Sequence, residues 1–281
     1  MGRDTAQVAL VTGAASGIGA ATALAFADRG WTVYATDVRT PLPERVRERC
    51  RPRELDVTDP EQCRAVVDDI LDETDRLDCL VNNAGYAVPG PIEDVASDAV
   101  RDAFDVLVHG PHRLARAVLP EMRAGGGRIV NVSSVLARTP YPGVGGYSAG
   151  KAALLSMSDA LRMELADDPD VHVAVVEPAW VETAFADSAR GKLPSERTAD
   201  YEGVYDALED GWVLDAEPLA SPPEAVAERV LEAATDDRPR AHYPVGRFAT
   251  FVYWTEWVPP RIVDPLRRWF GRLTAALGRW S

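Results

Sequence analysis

"QVALVTGAASGIG" (Gln7–Gly19) is the stretch on which the fold turns. Its first half is a short apolar, β-branched run ending at a glycine, the pattern of a strand buried on both faces. Its second half passes at once into a helical pattern from Gly17 to Arg29. Gly13, Gly17 and Gly19 permit a tight turn and a close approach to the backbone. A helix starting directly after such a turn offers its free N–H groups and positive dipole end to an anion. Gly13, Ser16, Gly17, Ile18 and Gly19 are therefore candidate phosphate contacts. Glycine trios are common in turns; the weight comes from the position between a first strand and a first helix.

Outward from this unit, apolar strand-like runs alternate with helical patterns. "WTVYATD" (31–37) reads as a second strand, 44–50 as a short helix, and the region near Leu55 as a third strand. Asp59 opens a helix over 60–74, and "LDCLVNNAG" (77–85) is a fourth strand. One long helix over 97–122, a strand in "GRIVNVSS" (127–134) and a helix over 146–166 follow. "VHVAVVEP" (171–178), a helix over 222–235 and a short strand in "RAHYPVG" (240–246) complete the series. Near-continuously apolar strands separated by helices imply a parallel sheet covered on both faces. Right-handed crossovers make it doubly wound, a single α/β domain of about seven strands. That domain is expected over 1–250, with 251–281 as a C-terminal extension. The least regular stretch, 179–221, follows the sixth strand and should form a lid over the carboxyl ends of the strands, where ligands bind in this architecture.

Asp37 ends the second strand, 18 residues after Gly19. A carboxylate there is placed to hydrogen-bond an adenosine ribose 2′-OH and to repel a 2′-phosphate. The pair of signals points to a dinucleotide, NAD ahead of NADP. Arg39, two residues on, leaves room for the phosphate.

The 281 residues hold 44 Asp plus Glu against 30 Lys plus Arg, a net charge of −14. Lys151 and Lys192 are the only lysines. Such a surface argues against nucleic acid as the main partner, because phosphate contacts need cations. It fits either a halophilic protein kept soluble at high salt or an ordinary acidic cytosolic one. Cys50, Cys63 and Cys79 form no CxxC pair, which suits a reducing, cytoplasmic compartment. No metal site is expected. No secretory signal is expected either, since a strand pattern begins almost at once, and no apolar run is long enough to span a bilayer.

"YSAGK" (147–151) places a tyrosine and a lysine one helical turn apart. A free tyrosine has a pKa near ~10 and is a poor base at neutral pH. A nearby ammonium favours the phenolate. Making the phenolate accessible at neutral pH needs roughly 4 kcal/mol of differential stabilisation. Ser134 ends the fifth strand, 13 residues before Tyr147.

Together these residues resemble the short-chain dehydrogenase/reductase family, with its Rossmann-like fold. The resemblance runs over about 7–185 and rests on Thr12–Gly19, Asp56-Val57, "NNAG" (82–85), Ser134 and the Tyr147/Lys151 pair. It is nearest the hydroxysteroid and retinol dehydrogenase-like branch, through "YSAGKAALLSMSDALRMELA" and "VEPAWVET". The resemblance implies hydride transfer between a secondary alcohol or its carbonyl and NAD(P). In it Tyr147 is the general acid/base, Lys151 tunes it and holds the nicotinamide ribose, and Ser134 positions the substrate oxygen. It further implies that Asp56 and Val57 border the adenine, and that Asn83, Ala84 and Gly85 line the adenosine ribose. Pro178, Val181 and Thr183 would serve the nicotinamide carboxamide. A homodimer or homotetramer is the family's usual assembly.

The chain departs from the family at two points. Ala179 stands where a glycine is usual. Leu107 stands where the family has an asparagine that supports a proton-relay water, and leucine has neither donor nor acceptor. These departures keep a second reading open, a dinucleotide-binding sensor or scaffold with little catalysis. Trp180, Phe185, Tyr201, Tyr205 and Trp212 in the lid fit either a bulky apolar substrate or ordinary packing. In the tail, Ile262, Leu266, Trp269, Phe270, Leu273 and Leu277 recur at helical spacing among arginines. That basic amphipathic pattern fits packing against the body or a second subunit, or peripheral contact with a membrane surface.

Overall fold

The structure is a computed structural model that describes residues 6–209, 220–255, 258 and 261–262. Seven strands run through it: β1 (Val8–Thr12), β2 (Thr32–Asp37), β3 (Arg51–Glu54), β4 (Cys79–Asn82), β5 (Gly127–Val132), β6 (Val171–Pro178) and β7 (His242–Val245). The helices are α1 (Gly17–Asp28), α2 (Glu44–Arg49), α3 (Pro60–Thr74), α4 (Ser97–Phe104), α5 (Gly110–Gly125) and α6 (Gly145–Glu164). In the second half follow α7 (Phe185–Arg190), α8 (Glu202–Glu209), α9 (Pro223–Thr235) and α10 (Arg247–Thr255).

All strands pair in parallel, in the order β3-β2-β1-β4-β5-β6-β7. The order reverses between β1 and β4, so the chain winds outward from there in both directions. Period-two alternation splits the core between the two faces. Ala9 and Val11 of β1 face a layer built on Phe26, Val230 and Leu231. Val8 and Leu10 face a layer built on Val67, Ile70, Leu114 and Val118. The doubly wound single domain read from the sequence is therefore the observed one.

Local chemistry explains several boundaries. The Asp59 carboxylate accepts from the N–H groups of Glu61 and Gln62, and Pro60 occupies the first helical turn of α3, where no N–H is required. The third strand, expected near Leu55, is "RPRE" directly before it. It is an edge strand, with charge and a proline that discourage further pairing. The long helix expected over 97–122 is interrupted by a π-helical turn, Asp105–His109. Pro111 contributes no N–H to the carbonyl of Leu107, which an unbroken α-helix would require.

The glycine turn shows why glycine is needed. Gly13 and Gly17 have φ of +71° and +53°. A Cβ on Gly19 would lie 2.1 Å from the Gly13 carbonyl oxygen. Gly19→Ala should therefore lower stability by about 1–3 kcal/mol despite alanine's higher helix propensity. At Gly203 of α8 an added Cβ meets nothing within 4 Å. Gly203→Ala should stabilise by about 0.5–1 kcal/mol. Urea unfolding of the two variants beside the parent checks the opposite signs.

Candidate active site

The switch between β1 and β4 opens a cleft of about 670 Å3 at the carboxyl ends of the strands. Every candidate residue read from the sequence lines it except Gly19, which lies beneath in the first turn of α1. Leu55, Tyr86, Val106, Leu136, Ser188, Ala189 and Lys192 also line it and carried no motif.

The end of the cleft at the glycine turn is built from close backbone approach and one buried carboxylate. Thr12 Oγ1 accepts from the N–H groups of Asn83 and Ala84, at 3.0 and 3.1 Å. The Asn83 amide donates back to the carbonyls of Thr12 and Gly13, at 2.9 and 3.2 Å. The Asn83 side chain thus holds the glycine turn, and its backbone lines the cleft. Asp37 is only 5% exposed at the end of β2. One of its oxygens accepts from Ala15 N–H at 3.0 Å; the other accepts from Arg39 N–H and Nε at 2.9 and 3.2 Å. Arg39 also reaches Ser16 Oγ at 3.2 Å. Asp56 is turned into its own loop, accepting from Thr58 N–H and Oγ1. On the other wall, Thr183 covers the turn, with its Cγ2 2.9 Å from where a Cβ on Gly17 would sit.

The reactive end is built on β5 and α6. Ser134 follows β5 in extended backbone, and its Oγ accepts from Leu136 N–H at 3.1 Å. Tyr147 and Lys151 lie one turn apart on α6, both buried. Phe185 of α7 packs on the Tyr147 ring at 5.5 Å between centroids. Lys151 Nζ donates to Val132 O at 2.7 Å and stands 5.9 Å from the Tyr147 ring centroid. Burial pushes the Tyr147 phenol up to about 12, against the lowering effect of its hydrogen bond with Ser134. Burial also pushes the Lys151 ammonium down to about 8. Desolvation is the largest influence on each group and disfavours both charged forms.

Leu107 is fully buried in the π-helical turn. Its methyl groups lie 2.7 Å from a Cβ built on Gly85 and 2.9 Å from one built on Gly150. A Cβ on Gly85 would also stand 3.7 Å from Lys151 Nζ. Leucine thus fills the space beside the ammonium. Among the described residues Val132 O is the hydrogen-bond partner of Lys151 Nζ.

Behind Ser134, Arg138 pairs with Glu177, the residue before Pro178, and both contact His242 of β7. Burial raises the Glu177 carboxyl, but the hydrogen bonds from His242 and Arg138 bring it below its usual range. α10 covers this group, burying Ala249 and Val252 against Val135 and Leu136. Most of the basic amphipathic pattern, 263–281, lies outside the described residues, as does Trp212. Among the described residues no helix is long and apolar enough to cross a membrane.

These features suit a dinucleotide. The turn closes tightly only because its glycines carry no Cβ, and a buried carboxylate stands at the end of β2, the position from which such folds bind a ribose. The comparisons agree. The short chain dehydrogenase family matches residues 7–193, and the chain belongs to it. The uncharacterized oxidoreductase YbbO of Escherichia coli (strain K12) is 32% identical, covering 94% of this chain and 95% of its own. The 11-beta-hydroxysteroid dehydrogenase 1A of Arabidopsis thaliana is 37% identical over 63% of this chain and 53% of its own. A short-chain dehydrogenase/reductase of Burkholderia phymatum, solved with NAD, superposes with a TM-score of 0.75 at 25% identity, covering 95% and 94% of the two chains. One from Burkholderia cenocepacia J2315, solved with NADP, gives 0.72 at 26%, covering 94% and 98%. The protein is an NAD(P)-dependent oxidoreductase of this family.

A buried ammonium should cost stability. The Lys151 value is 10.5 unperturbed and about 8 in the fold, so between them the unfolded chain holds more protons and stability rises with pH. Lys151→Met should therefore be more stable than the parent at neutral pH, by about 1–3 kcal/mol. That margin should narrow as pH rises from 8 to 10.5. Denaturant melts of both proteins across this range measure it.

Proposed function

We propose that the protein interconverts a secondary alcohol and its carbonyl, with NAD preferred over NADP. The observation that carries this reading is the convergence of Ser134, Tyr147 and Lys151 in one cleft with the glycine turn and Asp37. When bound, the nicotinamide supplies or accepts the hydride. Tyr147 Oη passes the proton to or from the substrate oxygen. Ser134 Oγ, already in contact with Tyr147, holds that oxygen in place. Lys151 keeps a positive charge near the phenol, and its effect grows as a second positive charge arrives with the oxidised cofactor. Phe185 and Leu107 keep the pair dry, which strengthens each of these electrostatic effects. The preference for NAD is supported by Asp37, a buried carboxylate that would meet a 2′-phosphate with like charge.

Of the aromatic residues in the lid, Trp180 and Phe185 line the cleft. Tyr201 and Tyr205 are tied instead to Glu93 and Asp94, at 2.8 and 2.6 Å. An apolar body on the substrate is thus supported by part of the lid, and packing accounts for the rest.

Tyr147→Phe should lower kcat for oxidation of secondary alcohols by roughly a hundred- to ten-thousandfold while cofactor binding persists. A parent protein that binds NAD without turnover, indifferent to this substitution, would favour the sensor reading. Asp37→Ala should shift the kcat/KM ratio from NAD toward NADP by roughly a hundredfold. Steady-state rates with each cofactor decide it.

A further inference from the structure

Lys192 follows α7 at the mouth of the cleft, in line with Phe185, Ser188 and Ala189 at helical spacing. Its Nζ lies 3.4 Å from the centroid of the Tyr86 ring, which fixes the ammonium over the substrate end. Burial raises the Tyr86 phenol, with Asp102 and Asp105 adding to it, so the ring stays neutral under the cation.

Lys192 is exposed, and three observations separate it from the other surface cations. First, it is one of only two lysines in the chain, and the other is Lys151. Second, among the described residues Lys192 has no ion pair, although acidic residues outnumber basic ones by 44 to 30. Its neighbours Arg190 and Arg197 both pair, with Asp187 and Glu209. Desolvation draws its ammonium below the usual lysine range, and no carboxylate acts against that. Third, the acids that line the cleft, Asp37 and Asp56, stand at the dinucleotide end. The substrate end carries two ammonium groups and, among the described residues, no carboxylate. Lys192 is solvent-exposed, yet it lines the cleft, stacked on the Tyr86 ring and without a counter-ion, and a cation so placed is a binding element for an anion, which lysine offers as a compact point charge.

We propose that the substrate is an organic anion, an alcohol or carbonyl compound bearing a carboxylate or sulfonate, and that Lys192 binds its acid group. The inference rests on the oxidoreductase reading of the same cleft. The acid group sits at the mouth on Lys192, and the reacting carbon lies deeper, at Ser134 and Tyr147, with apolar contacts from Phe185 and Leu136 between them. Lys192 is thus a specificity residue; it takes no part in the proton transfer.

The test compares β-hydroxybutyrate with its methyl ester, with NAD, for the parent, Lys192→Met and Lys192→Arg. The acid-to-ester ratio of kcat/KM should fall roughly ten- to hundredfold in Lys192→Met and recover in Lys192→Arg. An unchanged ratio, or a parent that prefers the ester, overturns the proposal. In parallel, butyrate and butyramide are titrated calorimetrically into the NAD-loaded proteins. The parent should bind butyrate more tightly than butyramide, and Lys192→Met should lose the difference. Equal binding of the two by the parent overturns the proposal. Butyrate selectivity lost in Lys192→Met but without turnover of either alcohol would uphold the anion site and count against the secondary-alcohol reading.

Discussion

The crossing between the ends of β1 and β4 governs the rest of this structure. The sheet reverses its order there, so the chain leaves the two neighbouring strands toward opposite faces and the backbone must splay apart. Splaying exposes peptide groups that a continuous sheet would have paired. Thr12 and Asn83 answer this by exchanging hydrogen bonds across the gap, between side chain and backbone in both directions. The crevice stays open above them with their own polar groups satisfied. The absence of Cβ atoms at Gly13 and Gly19 is a consequence, since any side chain there would strike the same crossing.

Around this crevice the protein holds charges in places where solvation is poor. Lys151 is 4% exposed and leans on a single carbonyl at the end of β5. Arg138 and Glu177 form a buried pair beneath the turn that carries Ser134, with His242 completing it from the far strand. A buried ion pair of this kind adds little net stability, but loss of either partner is expensive. Its geometric effect is to tie the segment after β5 to the carboxyl end of β6. The two walls of the reactive end are therefore fixed relative to each other by charge as well as by packing. The site combines a rigid floor with groups whose charged states are disfavoured until ligands bring compensating charge, a common cost of acid–base chemistry in a dry cleft.

The fold was largely legible in the chain because it rests on local signals. Apolar runs, helix-opening residues such as Asp59 and the glycine turn each act over a few residues, and they agree with one another. The line of candidate site residues was legible for the same reason: they cluster where strands end and in the loops and first turns of helices that follow. Less visible was anything that depends on a shift within an element. The π-helical turn at Asp105–His109 has no periodic signature, and it directs Leu107 into the space beside Lys151. Composition left Tyr201 and Tyr205 open between substrate contact and packing, and their hydrogen bonds to Glu93 and Asp94 are what only the folded chain shows.

The sequence by itself determined the alternation of strands and helices, the glycine turn, the acid at the end of β2 and the spacing of Ser134, Tyr147 and Lys151. All of these are set by chemistry between near neighbours along the chain. Only the tertiary structure decided the protonation balance of Tyr147 and Lys151, because desolvation depends on what every packed element removes from water. It also decided that Lys192, unremarkable in a string of letters, stands over Tyr86 at the open end of the cleft. That placement joins residues more than a hundred positions apart, and only the folded lid brings them together.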